Sequence, residues 1–347
     1  MSLPKTFVKG FHDENLVAKM EYLPLGKTGL KVSKVSLGGG TFSGTFYGEI
    51  ELSEAIETVH KAVKSGINYI DTAPFYGEGR SEELLGKALK GVPRESYYLA
   101  TKVGRYTRDF PTMFDYSAKK TRESLEKSLK LLGLDYVDVI QIHDIEFPET
   151  FDVVLNECLP ELEKLRKEGK VRFIGVSAYP MEPLKRIIQE VPGRFDIVLC
   201  YSRYTLLDKS LKDYLPFFLE QKLGVICAAG HALGLLTNKE PQPWHPASEE
   251  IKSICRKAAN ICKNANIDLG KLAMYYCMQL EGPSTFLTGM ENRKLLDINL
   301  KSYYEGLTKT EEEVLKQLKE TVFTKSLNWE GIELERYRAA MKKIAQS

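Results

Sequence analysis

Apolar residues along this chain follow two alternating patterns. Short, nearly continuous apolar runs occupy residues 34–37, 67–70, 97–101, 137–142, 171–176, 197–200, 224–228 and 285–288. Runs of that length, rich in β-branched and aromatic residues, predict strands buried on both faces. Between them the apolar positions recur at helical spacing. In 52–65, Ala55, Ile56, Val59, Ala62 and Val63 fall on one face. Ser117 caps a helix running to Leu132, with Leu125, Leu129 and Leu132 as its stripe and Gly133 as its stop. The same spacing predicts helices over 81–89, 150–167, 182–190, 209–221, 249–263, 269–280 and 292–304. Eight strands, each leading to helix, predict an α/β protein built as a single-domain (β/α)8 TIM barrel.

Residues 21–309 carry this pattern. At their start, 21–33 holds two β-type runs about Gly26-Lys27-Thr28-Gly29, an expected N-terminal hairpin. Residues 1–20 are polar and expected to be loosely held, and 310–347 form an expected C-terminal helical tail packed on the outside of the barrel. Two loops are longer than usual, 104–116 after the third strand and 230–247 after the seventh. Long loops on the C-terminal face of a barrel shape substrate pockets. Trp244 and His245 in the second are open to two readings, pocket wall or surface pair.

Three strands end on groups that can do chemistry. The run through Ile70 ends in Asp71, that through Thr101 in Lys102, and that through Ile142 in His143; Tyr76 follows Asp71 beside Gly77 and Gly79. In a parallel barrel these residues share the C-terminal rim. A tyrosine hydroxyl, of pKa near ~10, becomes a usable acid or base beside an ammonium. Asp71 would hold that ammonium in place, since a buried charge needs a partner. His143 would hydrogen-bond a substrate oxygen. Such a set moves a proton on or off an oxygen. It includes no nucleophile and no metal-binding cluster, so a hydride from a nicotinamide cofactor fits the other half of the reaction. Singly, each residue has an ordinary alternative: Asp71 a turn cap, Lys102 a surface charge, Tyr76 a packing ring, His143 a satisfied core histidine. The triple glycine Gly38-Gly39-Gly40 before Thr41 lets backbone approach a ligand, or simply turns the chain.

Composition narrows the partners. With 49 basic and 47 acidic residues mixed along 347, the net charge of +2 gives no reason to expect nucleic acid or an anionic membrane surface. The six cysteines make no C-x-x-C pair and read as reduced thiols. No signal-peptide core or 18-residue apolar run is present, so the expected location is the cytosol. The expected partner is a small molecule, with the chain a monomer or weak homo-oligomer.

The segments GINYIDTAPFYGEGRSEELLGKAL, LATKVGR, LGLDYVDVIQIHD, GKVRFIGVS and GLLT together resemble the aldo-keto reductases over nearly all of 21–304. The resemblance implies a catalytic tetrad of Asp71, Tyr76, Lys102 and His143, with Tyr76 the general acid/base, Lys102 its pKa modulator, Asp71 the partner of Lys102 and His143 the orienting donor. It further implies cofactor contacts from Gly40, Thr41, Asp71, Ser177, Tyr201, Cys227, Leu235, Gly289, Glu291, Arg293 and Asn299. The stretch RDFPTMFDYSAKKTRESLEKSLKLLGLDYVDVIQIHDIEF and the segment GLLTNKEPQPWHPA resemble the branch of L-galactose dehydrogenase and the L-fucose and D-arabinose type aldose 1-dehydrogenases. That branch implies oxidation of an aldose at C1 to the lactone with NAD or NADP. The alternatives are a carbonyl reductase running in reverse or a cofactor-sensing regulatory subunit of a potassium channel; a short N-terminus speaks against the latter. Many relatives have Asn, Gln and Tyr where this chain has Ala178, Tyr201 and Ala228, which removes amide and stacking contacts to a nicotinamide. Ala229-Gly230 stands where the branch has Ser-Pro. Gly289 and Leu295 fall where cations serve NADP elsewhere in the family. Glu291 would repel a 2′-phosphate, while Arg293 and Lys294 are near enough to accept one. NAD is the expected cofactor on balance.

Overall fold

The first two strands, β1 (Tyr22–Pro24) and β2 (Lys31–Ser33), pair antiparallel as the expected hairpin. The remaining eight are β3 (Val35–Gly38), β4 (Tyr69–Asp71), β5 (Tyr98–Val103), β6 (Val137–Ile142), β7 (Val171–Ala178), β8 (Ile197–Tyr201), β9 (Gly224–Ala228) and β10 (Thr285–Gly289). In the computed structural model, which describes residues 3–346, each is parallel to its two neighbours, and β10 returns to β3 to close the barrel. Every residue of β4, β5 and β6 is buried, which is why these runs lack the alternation of a half-exposed strand.

Among the described residues, twelve α-helices accompany them. They are α1 (Glu14–Lys19), α2 (Leu52–Lys64), α3 (Arg80–Ala88), α4 (Ala118–Leu132), α5 (Leu159–Lys167) and α6 (Met181–Glu190), then α7 (Leu211–Glu220), α8 (Glu249–Asn264), α9 (Leu269–Met278), α10 (Arg293–Glu305), α11 (Lys309–Thr321) and α12 (Ile332–Ala345). Ser117 accepts from the Lys120 N–H at the start of α4, and Gly133 ends it in the left-handed region. The helix expected over 150–167 is interrupted early: Val154–Cys158 is a π-turn, and the sustained α-helix begins at Leu159. Pro160, with no N–H to give, interrupts the regular ladder there.

Period two divides the strand side chains between two cores. Tyr69, Tyr98, Ala100, Val139, Ile197, Leu199, Ile226 and Leu287 point into the barrel. The opposite phase, with Ile70, Leu99, Ile140, Val198 and Cys227, packs outward against the helices. The hairpin plugs the N-terminal end: Leu25, Leu30 and Val32 join the inner cluster. Each such buried side chain contributes about 1.5–3 kcal/mol. The fit is close at Gly26, where a Cβ would lie 2.2 Å from the Gly224 nitrogen.

The N-terminal end is docked rather than loosely held. Among residues 3–20, α1 is capped by Asp13, Val17 and Met20 are buried, and Thr6 Oγ1 accepts from Asn68 Nδ2 at 3.0 Å. A few apolar anchors in a polar stretch suffice to dock it. At the other end, Val314, Leu318, Val322, Phe323 and Trp329 bury into a second outer core with α8 and α9. The last helix, α12, has no buried residue, yet it reaches the mouth of the barrel, where Glu333 and Arg336 line the main cleft. Position 347 lies outside the described residues.

Candidate active site

Asp71 is the last residue of β4, Lys102 the next-to-last of β5, and His143 directly follows β6. By register and parity they share the uppermost inward layer of the barrel: Asp71 lies opposite Ala100, and Lys102 opposite Gln141. Tyr76 rises from the turn between β4 and α3. Its backbone N–H donates to Ala73 at 3.0 Å, and Gly77 behind it has a positive φ, in a space where a Cβ would meet the Ser43 carbonyl oxygen at 2.4 Å. The structure thus brings all four residues to one cleft of about 380 Å³.

The Lys102 ammonium has three donors and uses each. It donates to Asp71 Oδ1, to the Thr72 carbonyl at 2.8 Å and to the Tyr76 hydroxyl at 3.4 Å. Asp71 Oδ2 accepts from Gln141 Nε2 at 2.6 Å. Lys102 and Asp71 are each 1% exposed, so a poorly matched pair would be costly here. Burial alone would lower the Lys102 ammonium, but Asp71 and Tyr76 more than offset it and hold it above its usual range. Burial raises the Asp71 carboxyl, opposed by Lys102 and Gln141. Burial likewise raises the Tyr76 phenol, with Lys102 the main opposing charge. His143 is pushed well below the usual histidine range by burial, then by Lys102 and Arg105. Its imidazole is therefore neutral near neutral pH. The ring stands perpendicular to Tyr76, with centroids 6.0 Å apart.

Aromatic rings and charges surround this group. Phe46, Tyr47 and Trp244 form one wall, with Trp244 Nε1 donating to the Phe46 carbonyl at 2.7 Å. Trp244 is thus pocket wall. His245 is buried in the core, bonded to Ala232. Both long loops reach the cleft, one through Arg105, Arg108, Phe110 and Met113, the other through Leu233, Trp244 and Pro246. Asp144, Glu333 and Arg336 complete the charged side.

Of the residues expected at a cofactor, Gly40, Thr41, Asp71, Ser177, Tyr201 and Gly289 line the cleft. Cys227 does not. It stands one residue out of phase with the inward Ile226 and Ala228, and its Sγ faces Cys277 Sγ at 3.7 Å in the outer core. Leu235 is buried in the second outer core. Asn299 is buried on α10, its Nδ2 donating to the Leu295 carbonyl. Arg293 is held by Glu54 through Nη2 at 2.7 Å and its own N–H at 2.9 Å, and Glu291 lies 4.0 Å from Lys239. None of these last four lines the cleft.

A nicotinamide dinucleotide fits the residues present. Thr41 Oγ1 is buried with no partner of its own, and a Cβ on Gly289 would collide with Thr41 Cγ2 at 2.4 Å, so this edge of the cleft is kept clear. Ala228, Ala229, Leu199 and Leu287 supply an apolar floor. Among the described residues, no group of three or more His, Cys, Asp or Glu is placed to hold a metal, and no helix is long and apolar enough to cross a membrane.

Several residues of the site escape a reading of the sequence. Gln141 had a usable signal: it is the polar inward position of β6, in phase with Val139 and His143. Glu333 had none, because it meets Arg105 across 228 residues of chain.

The sequence pattern of the Aldo/keto reductase family matches residues 34–320. L-galactose dehydrogenase of Arabidopsis thaliana is 41% identical over 292 residues, covering 83% of this chain and 90% of its own length. D-arabinose 1-dehydrogenase of Saccharomyces cerevisiae is 30% identical over 318 residues, covering 86% of this chain and 93% of its own. Among solved structures, an aldo-keto reductase from Bacillus halodurans in its holo form superposes with a TM-score of 0.69 at 26% identity, covering 90% of this chain and 99% of its own. With that pattern spanning most of its length and relatives of this closeness, the chain belongs to the aldo/keto reductase family and is an NAD(P)-dependent oxidoreductase.

Proposed function

We propose that this enzyme oxidises an aldose of the L-galactose type at C1 to the lactone, with NAD as the preferred cofactor. The observation that carries the reading is the Lys102 ammonium touching both the Tyr76 hydroxyl and the Asp71 carboxylate at the floor of a cleft. In this direction Tyr76 acts as phenolate. The Lys102 charge stabilises that form, and the phenolate oxygen takes the proton of the anomeric hydroxyl. His143, neutral, holds the same substrate oxygen in line. A bound nicotinamide supplies the acceptor for the hydride that leaves C1. Because burial raises the Tyr76 phenol, oxidation is expected to accelerate as pH rises.

The substrate class rests on two supports. The relatives with the highest identity given above are aldose dehydrogenases by name. The cleft also joins aromatic faces (Phe46, Phe75, Trp244) to polar groups (Asp144, Glu333, Arg336), a combination that suits the apolar faces and hydroxyls of a sugar. The NAD preference rests on Arg293. Its guanidinium is tied to Glu54 and is not free for a 2′-phosphate.

The test is a steady-state panel of L-galactose, L-fucose and D-arabinose against aromatic aldehydes, run with both cofactors. Aldose oxidation with NAD at the highest kcat/KM is the expected outcome. Turnover restricted to aldehyde reduction would replace this reading with that of a carbonyl reductase, and a preference for NADP would overturn the cofactor assignment.

A further inference from the structure

His143 has two ring nitrogens in different surroundings. Nδ1 is buried with no partner. Nε2 has no hydrogen-bond partner among the described residues and lies 3.6 Å from Asp144 Oδ2. That carboxylate lines the cleft beside His143. Main-chain contacts fix where the two residues sit: the His143 N–H donates to the Val103 carbonyl at 2.9 Å, and the Tyr116 hydroxyl bonds the carbonyls of both His143 and Asp144 at 2.8 Å. Asp144 takes a left-handed φ of +53°.

Asp144 is in turn held from the far end of the chain. Arg105 Nη1 donates to Asp144 Oδ2 at 2.7 Å, and Arg105 Nη2 donates to Glu333 on α12. Arg105 is 7% exposed, and its guanidinium lies over the Phe75 ring at 4.0 Å, with Phe114 and Phe147 beyond. Phe114 and Phe147 pack against Tyr337, one turn further along α12. An unbalanced arginine at this depth would be costly; two carboxylates, Asp144 and Glu333, balance it.

We propose that Asp144, Arg105 and Glu333 form a positioning chain that sets the tautomer of His143, placing the proton on Nε2 as a donor to the substrate oxygen, and that α12 belongs to the active site through this chain. This rests on the role given to His143 above. The physical argument is electrostatic. A carboxylate 3.6 Å from Nε2 favours the nitrogen that carries the proton, and no group competes for a proton on Nδ1. The other charges about the ring, Lys102 and Arg105, are both positive and oppose a second proton on it. Removing the Glu333 charge leaves Arg105 to draw Asp144 more strongly and weakens the bias. Asp144, Arg105 and Glu333 are thus positioning residues, acting through the imidazole.

The test uses the full chain labelled with ring-15N histidine, where only five histidines contribute signals and His143→Gln assigns the one of interest. Long-range 1H–15N spectra report the tautomer directly. In the wild type His143 is expected as the Nε2–H form. In Asp144→Asn, a substitution that tolerates the left-handed backbone, the spectrum should show loss of that single form. Its kcat on the aldose should drop on the order of tenfold, a barrier change of about 1.4 kcal/mol, with a smaller change in KM. Glu333→Gln, at a half-exposed position, should move both readouts the same way and less far. An Nδ1–H tautomer in the wild type would overturn the proposal. So would Asp144→Asn or Glu333→Gln variants that keep both the tautomer and kcat. Failure of the underlying functional reading is distinct: it would appear as undiminished turnover in Tyr76→Phe.

Discussion

Replacing Lys102 with methionine keeps most of the side-chain volume and removes the charge. The Asp71 carboxylate, 1% exposed, then keeps only Gln141 as a side-chain partner. Removing one member of a buried ion pair costs about 3–5 kcal/mol. A second route gives a similar figure. Asp71 can escape by taking a proton, and at neutral pH protonating a carboxyl of ordinary pKa ~3.9 costs roughly 4 kcal/mol. The second route also fixes the pH dependence. In the variant, the folded-state pKa of Asp71 rises above its unfolded value, so the native state holds a proton that the unfolded state releases. The stability this gives is fully present below the unfolded pKa and is lost as pH rises through the folded one. The defect relative to wild type should therefore be largest near neutrality and shrink by about 1.4 kcal/mol per pH unit on acidification toward ~4. Urea unfolding of wild type and Lys102→Met across that range measures it. The double variant Asp71→Asn/Lys102→Met, which removes both charges, should regain most of the loss. A neutral-pH defect below about 1 kcal/mol, or a double variant no more stable than the single one, would refute the buried-pair argument.

Tyr76→Phe should bind cofactor as the wild type does and lose nearly all of kcat, since only the proton-transferring oxygen is gone; single-turnover rates near wild type would reassign the acid/base. Glu54→Ala should free Arg293 from its bidentate partner and improve kcat/KM with NADP several-fold relative to NAD, by adding one charge-assisted contact; an unchanged ratio would place the 2′-phosphate elsewhere. His245 is held neutral by burial, its pKa lowered to about 4, with Nδ1 accepting from the Ala247 N–H and Nε2 facing the Ala232 carbonyl. Its folded pKa is depressed, so its contribution is present above the unfolded value of ~6.5 and is lost as pH falls toward the folded one, about 3 kcal/mol in all. His245→Gln should flatten the decline of unfolding free energy over that interval, and an unaltered slope would count against it.

Sequence alone determined the parts of this protein that depend on local periodicity. Eight apolar runs too continuous for half-exposed strands, alternating with helical stripes, call for a parallel sheet covered by helices, and eight β/α units predict its closure into a barrel. The same period places Asp71, Lys102 and His143 on the inward phase at strand ends, so their convergence was legible before any coordinates. Gln141 was legible by that rule too. Parity also separates the inward Ala228 from Cys227, whose side chain faces the helices.

Tertiary structure alone decided which distant groups meet. Asp71 and Gln141 bond across strands 70 residues apart, and Arg105 and Glu333 across 228. No spacing rule links such pairs, because loop closure costs grow only slowly with length and leave partner choice to packing. The same is true of α12. Its composition reads as a solvated helix with no buried residue, and only the fold carries Glu333 and Arg336 to the mouth of the cleft. Arg293 makes the point for charge: its position in the chain suggested a cation near the cofactor, whereas its salt bridge with Glu54, 239 residues earlier, occupies that charge in the folded molecule.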